Sequence, residues 1–135
     1  MPAKDKYHDT VIRALKSDGW QILGENLLLL IENRHLWVDV EAKNKDDESV
    51  ILVEIKTFEN MQSPVNYLQS VIGQYMMYKV VLTFLEINNP LFLAVSLDAY
   101  NGFLQEEIAK QVIEQLSIKL VVIDIQLEEI VEWIP

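Results

Sequence analysis

The sequence predicts an α/β domain: a central mixed sheet of about five strands flanked by α-helices. Three observations carry that reading. Segments of helical and of strand periodicity alternate along the whole chain, as a layered α/β unit requires. Val50 to Thr57 is rich in β-branched residues, and Ser63-Pro64 then opens a long helical segment. Half of the 135 residues are hydrophobic, enough for a core, and domains typically run to about 100–150 residues, so 1–135 reads as one domain.

Asp5 to Lys16 reads as the first helix. Tyr7, Val11, Ala14 and Leu15 recur at helical spacing, with His8 and Ile12 beside them, and Asp18-Gly19 stops it. Trp20 to Leu23 reads as a short strand and Gly24-Glu25-Asn26 as a turn. Leu27 to Ile31 is an apolar run, a fully buried strand or a poorly solvated one. After a turn at Asn33-Arg34-His35, Leu36 to Ala42 alternates as a strand does, and Asn44 to Ser49 is a charged loop before the strand at Val50. Ser63-Pro64 supplies a hydroxyl N-cap and a proline at the first helical position. That helix should run to about Ile87 and end before Asn88-Asn89-Pro90. Leu91 to Ser96 is a buried strand, Leu104 to Leu116 an amphipathic helix, and Ile118 to Ile125 and Ile130 to Ile134 the last strands.

The chain has no cysteine, which excludes disulfides and thiolate metal sites and fits a reducing cytoplasm. No apolar run approaches the roughly 20 residues of a membrane span, and Met1 to Lys6 is polar, so a cytoplasmic protein without membrane contact is expected. The net charge is −10. Eight of the eleven basic residues lie in positions 1–60, but twelve acidic residues lie there too, so neither part of the chain is a general DNA-binding surface. Nucleic acid must therefore be met through a local basic patch, a metal ion or a partner's charge.

Strand parity gives the sharpest local argument. Residues two apart share a face, so Val53 and Ile55 point one way and Glu54 and Lys56 the other. On the preceding strand, Val38 and Val40 oppose Trp37, Asp39 and Glu41. A hairpin centred between Asp46 and Asp47 sets Asp39 opposite Glu54 and Trp37 opposite Lys56, with the acids and the lysine on its exposed side. Opposed Cβ atoms lie about 4.5–5.5 Å apart, so the two carboxylates can share one Mg²⁺ or Mn²⁺. Such an ion polarises a phosphoryl oxygen and lowers the pKa of a bound water, and a lysine on the same face orients that water or offsets developing charge. The arrangement suits phosphodiester hydrolysis, although an Asp, a Glu and a Lys also meet on many solvated sheet faces.

Pro2-Ala3-Lys4-Asp5, Tyr7-His8, Asp18-Gly19-Trp20, Val38-Asp39, Val53-Glu54-Ile55-Lys56, Gly73-Gln74-Tyr75 and Trp133-Ile134, in this order along nearly the whole chain, resemble the XisH family. Its proteins are named as fdxN-element excision controlling factors of cyanobacteria, and they look like members of the PD-(D/E)XK, restriction endonuclease-like superfamily. The resemblance implies that fold, a Mg²⁺- or Mn²⁺-dependent deoxyribonuclease site, and a role in excising a DNA element beside a recombinase and an XisI-like partner protein. It maps Asp39, Glu54 and Lys56 onto the D…E-x-K core, and Gln74 and Tyr78 onto a Q-x-x-x-Y motif on the following helix. Gln74 and Tyr78 are four apart and share a helix face. Where many superfamily members carry a first-helix glutamate, this chain offers His8 or Asp9, and Val38 stands where the signature proline precedes the aspartate.

Two functions follow as expectations. One is a metal-dependent endonuclease-like factor with Asp39 and Glu54 on the metal, Lys56 assisting the water and Gln74 positioning substrate. The other is a catalytically inactive nuclease-fold module that binds a partner protein, which the acidic balance favours. Leu27 to Ile31 and Tyr75 to Leu85 are unusually apolar for so small a domain, and a helix apolar around most of its circumference is buried on more than one side. A homodimer, or an obligate complex with a partner, is therefore expected.

Overall fold

Residues 4–59 and 61–135 are described by a computed structural model, and Pro2 and Ala3 of the opening motif lie outside them. Six strands form one sheet: β1 (Trp20–Ile31), β2 (Arg34–Asn44), β3 (Val50–Ile55), β4 (Leu91–Ser96), β5 (Lys119–Asp124) and β6 (Glu129–Ile134). They lie in the sheet in sequence order. β1, β2 and β3 run antiparallel in turn, β3, β4 and β5 run parallel, and β6 returns antiparallel. The sheet is thus mixed, with six strands where about five were expected.

Parallel neighbours need a crossover. Between β3 and β4 it is the helix α2 (Pro64–Phe84), and between β4 and β5 it is the short helix α3 (Leu97–Asn101), a 3₁₀ turn (Phe103–Gln105) and the helix α4 (Glu107–Gln115). Both crossovers cover the same face of the sheet, where Tyr75, Tyr78, Leu104 and Ala109 pack in one core with Leu52, Leu93 and Val122. The helix α1 (His8–Ser17) covers the other face, where Val11 and Leu15 join Val40, Val53, Ile55 and Val121. Tyr75 fixes α2 to the sheet: its hydroxyl donates to the Leu91 carbonyl at 2.7 Å and accepts from the Lys119 amide at 3.2 Å. At the far end of the sheet Trp20 and Trp133 pack at 5.5 Å between ring centroids.

Several boundaries differ from the sequence expectation for local physical reasons. α1 begins at His8 rather than Asp5, because the Asp5 carboxylate accepts the Tyr7 amide at 2.9 Å and so stands outside the helix. Pro64 does occupy the first turn of α2, but the Ser63 hydroxyl makes no capping bond there. α2 stops at Phe84 rather than Ile87, with Glu86 turned to φ 59. Of the expected helix over 104–116 only Glu107–Gln115 is α-helical, and α3 was not foreseen.

The largest difference lies in β1. Gly24-Glu25-Asn26 does not reverse the chain. The strand continues through it for twelve residues, with a bulge between Ile22 and Gly24 and Asn26 at φ 58. The reversal comes later, at Glu32-Asn33, with Glu32 at φ 52. A left-handed residue inside a strand turns the side chains beyond it. Leu27 and its partner Val38 accordingly pack in the core beneath α2, while Val40 packs beneath α1. The parity that put Val38 and Val40 on one face therefore fails at this kink. The outer part of the hairpin, residues 27–38, forms an arm that extends past the last β2–β3 pair, Val40 with Val53. Leu27 to Ile31 is neither uniformly buried nor uniformly wet: Leu29 is buried and Leu28 and Leu30 face out.

Candidate active site

The register of the β2–β3 hairpin is the one that parity required. Val40 pairs with Val53, and Lys43 with Val50, about the charged loop. The next step along that register brings Asp39 to Glu54, and there side chains take over from the main-chain ladder. The Asp39 amide donates to Glu54 Oε1 at 2.9 Å, and the Ile55 amide donates to Asp39 Oδ2 at 2.8 Å. Each acid thus carries one rung of the sheet at the point where the arm departs. Trp37 and Lys56 do not pair as strand partners, since the ladder has ended and the Lys56 amide donates to the Ala94 carbonyl at 3.0 Å.

The acids are not on an exposed side. Asp39 is 9% and Glu54 3% exposed, and they form the floor of a cleft of about 180 Å³ lined also by Lys4, Asp5, Trp37, Ile55, Lys56, Tyr67 and Gln74. Parity placed both carboxylates on one face, but it carries no information about the cover, which α2 and the segment before α1 provide. Burial pushes Glu54 up to about 8, the neighbouring Asp39 charge adds to this, and Lys56 acts against it. Asp39 is also raised by burial, with the Ile55 amide, Lys56 and His8 opposing. The side-chain contact between the two carboxyls favours Asp39 as the ionised partner and Glu54 as the protonated one. Tyr67 is held up at about 12 by burial and by the carboxylates of Asp5, Asp39 and Glu54.

The donor set fits a hard divalent cation. It consists of two oxygen ligands in a pocket, a shared proton that a cation can displace, and no soft donor. Among the described residues Asp39 Oδ1 and Glu54 Oε2 make no hydrogen bond to an amide, so each acid keeps an oxygen for an ion.

Gln74 reaches the cleft from α2, and its Nε2 donates to the Tyr78 hydroxyl at 2.9 Å. Tyr78 itself is buried and stands behind Gln74 rather than in the cleft. The structure also brings in Asp5 and Tyr67, which the sequence reading passed over. Both oxygens of Asp5 are engaged, by the Tyr7 amide and by the amide and hydroxyl of Thr57 at 3.0–3.3 Å, so Asp5 staples the N-terminal segment to the end of β3. An acid just ahead of a helix was the one available signal for it.

His8 and Asp9 do not line this cleft. They lie with Glu25, the three offering ligand atoms within 4.8 Å of one another, and His8 Nε2 meets Glu25 Oε1 at 2.6 Å. His8 is buried, and its Nδ1 has no partner among the described residues. An ion on Nε2 would force a proton onto that orphaned Nδ1, so the trio reads as an imidazole donating from Nε2 to Glu25 rather than as a metal centre.

The family model for XisH protein matches residues 1–131 of the chain. No curated protein matches it significantly. Two solved structures resemble it along nearly all of its length. One is an XisH family protein from Nostoc punctiforme, 30% identical, covering 97% of this chain and 100% of its own, with a TM-score of 0.88. The other is a fdxN element excision controlling factor protein from Anabaena variabilis, 32% identical, covering 98% and 100%, with a TM-score of 0.89.

Proposed function

The chain belongs to the XisH family, and from that premise we propose that it is a metal-dependent, endonuclease-like factor that assists excision of a DNA element by hydrolysing a phosphodiester in the Asp39–Glu54–Lys56 cleft. The observation that carries the reading is a pair of buried carboxyls, both with raised pKa, beside a lysine in one cleft. Opposed buried acids are unfavourable unless something positive joins them. A bound Mg²⁺ or Mn²⁺ would supply Lewis-acid chemistry and a more acidic water. Asp39 and Glu54 would hold the ion, and its charge would bring Glu54 to the ionised form. Lys56 stabilises negative charge as it develops on the phosphate, and Gln74, held from behind by Tyr78, hydrogen-bonds the phosphate or the attacking water. Water adds to phosphorus, the bond to one sugar oxygen breaks, and that oxygen takes up a proton. Restriction endonuclease-like membership, a recombinase and an XisI-like partner belong to the same proposal.

Nicking of supercoiled plasmid tests it. Mn²⁺ should support conversion to open circles, and Lys56→Ala should lower the rate by about 10²-fold, the effect of losing one group that stabilises developing charge. No conversion in Mn²⁺ by the unsubstituted chain would sink the catalytic reading.

One observation favours a second reading, a module that binds a partner protein. The outer face of α2 presents Met77, Val80 and Phe84, 57–70% exposed, as an apolar stripe. We take this stripe as the contact with a second copy of the chain.

A further inference from the structure

The arm of the β1–β2 hairpin carries an outward apolar and aromatic strip whose inner end is the cleft itself. Leu28 pairs across with Trp37, and Leu30 with His35, so these four side chains share one face. Leu28 and Leu30 are 42% and 49% exposed. The His35 and Trp37 rings stand 6.5 Å apart, tilted by 56°. Trp37 precedes Asp39 by two residues and lines the same cleft as Lys4 and Lys56.

We propose that this strip is the substrate platform of the site, and that the nucleic acid it takes has unpaired bases, as a single strand or a flap does. The inference rests on the nuclease reading of the cleft and names its substrate class. Three considerations support it. A chain of net charge −10 draws little affinity from phosphates, so bases must contribute, and aromatic stacking does so without charge. Stacking on Trp37 and His35 needs a free base face, which a paired duplex does not offer. The two acids are at most 9% exposed on the floor of a narrow cleft, reachable by the backbone of one strand more readily than by a rigid double helix. The arm lies past the last β2–β3 pair, so a strand stacked along it leads its next phosphate to Asp39 and Glu54. Lys4 and Lys56 then meet that phosphate at the mouth.

Anisotropy of a fluorescein-labelled oligothymidylate, against a blunt duplex of equal length, tests this in Ca²⁺ at low salt. The single strand should bind at least about tenfold more tightly. Trp37→Ala should weaken it about tenfold, while Trp37→Phe, which keeps a stacking ring, should lose less than about threefold. Binding should quench tryptophan emission in the unsubstituted chain, and Trp37→Phe should abolish the quenching, since Trp20 and Trp133 are packed against each other. Equal affinity for duplex, or an unchanged affinity in Trp37→Ala, overturns the proposal. So does a fall in assembly mass in Trp37→Ala with oligonucleotide affinity intact, which would make the arm a contact between copies. Plasmid nicking without strand preference overturns this proposal and leaves the nuclease reading standing. Trp37-dependent strand binding without any nicking supports the platform and removes the chemistry.

Discussion

Protonation of Glu54 couples the cleft to the stability of the whole chain. Its carboxyl rises from 4.5 to about 8 on folding, chiefly through burial. The folded chain therefore keeps a proton that the unfolded chain has released in that window. By linkage, this group's contribution is most favourable below 4.5, declines as pH rises to about 8, and is flat above. Without metal, Tm should fall from pH 5 to pH 8. Glu54→Gln, uncharged throughout, should remove much of that slope and raise Tm at pH 8 by roughly 3–6 °C, equivalent to about 1–2 kcal/mol. Mn²⁺ prefers the ionised pair, so its stabilisation of the unsubstituted chain should grow over the same window and vanish in Asp39→Asn with Glu54→Gln. Scanning fluorimetry across pH reads all three; a slope in Glu54→Gln as steep as in the native chain would contradict the assignment. The facing of Asp39 and Glu54 was legible because β-branched alternation and a loop without apolar residues leave little freedom in register. Their burial and the arrival of Asp5 and Tyr67 were not, since those depend on how distant segments cover the strand end.

Among the elements, β1 shows how a turn signature serves another purpose. Gly24-Glu25-Asn26 has the residues of a reversal, but ten cross-strand pairs with β2 keep the chain extended, and the signature becomes a bulge and one left-handed residue. Local composition marked the irregularity correctly; only the long pairing with β2, invisible in a short window, decides between a turn and a kink. Asn26→Gly should be neutral or slightly stabilising, because glycine adopts φ near 58 without strain. Asn26→Val should cost about 1–2 kcal/mol, the cost of the left-handed region for a side chain branched at Cβ. Urea midpoints at constant slope measure both. If valine is tolerated as well as glycine, the kink does not depend on this residue.

For the whole molecule, the apolar circumference of α2 was legible from composition, and the structure divides it between the core and the surface. Leu68, Val71, Tyr75, Tyr78 and Leu82 fill the core, and Met77, Val80 and Phe84 remain outside. Among the described residues no helix is long and apolar enough to cross a membrane, so the stripe is not part of a spanning helix. Light scattering after size exclusion should give the mass of two chains at micromolar concentration, and Phe84→Glu with Val80→Glu should give one. A single-chain mass for the unsubstituted protein would show the stripe uncovered by a second copy. The acidic balance was equally legible, and Lys56 was expected beside the acids, but nothing in the sequence brought Lys4 to the same cleft.

Neighbours in this sheet are neighbours in sequence, so a chain leaving the ribosome can dock each new strand on the edge laid down just before it. No strand has to enter between two already joined. The first helix is the exception. Its side of the sheet is completed only when β6 brings Trp133 against Trp20, and Arg13 finds Glu128 in the turn just before that strand. During synthesis the seam at the far end of α1 therefore stays open until Trp133 has been added.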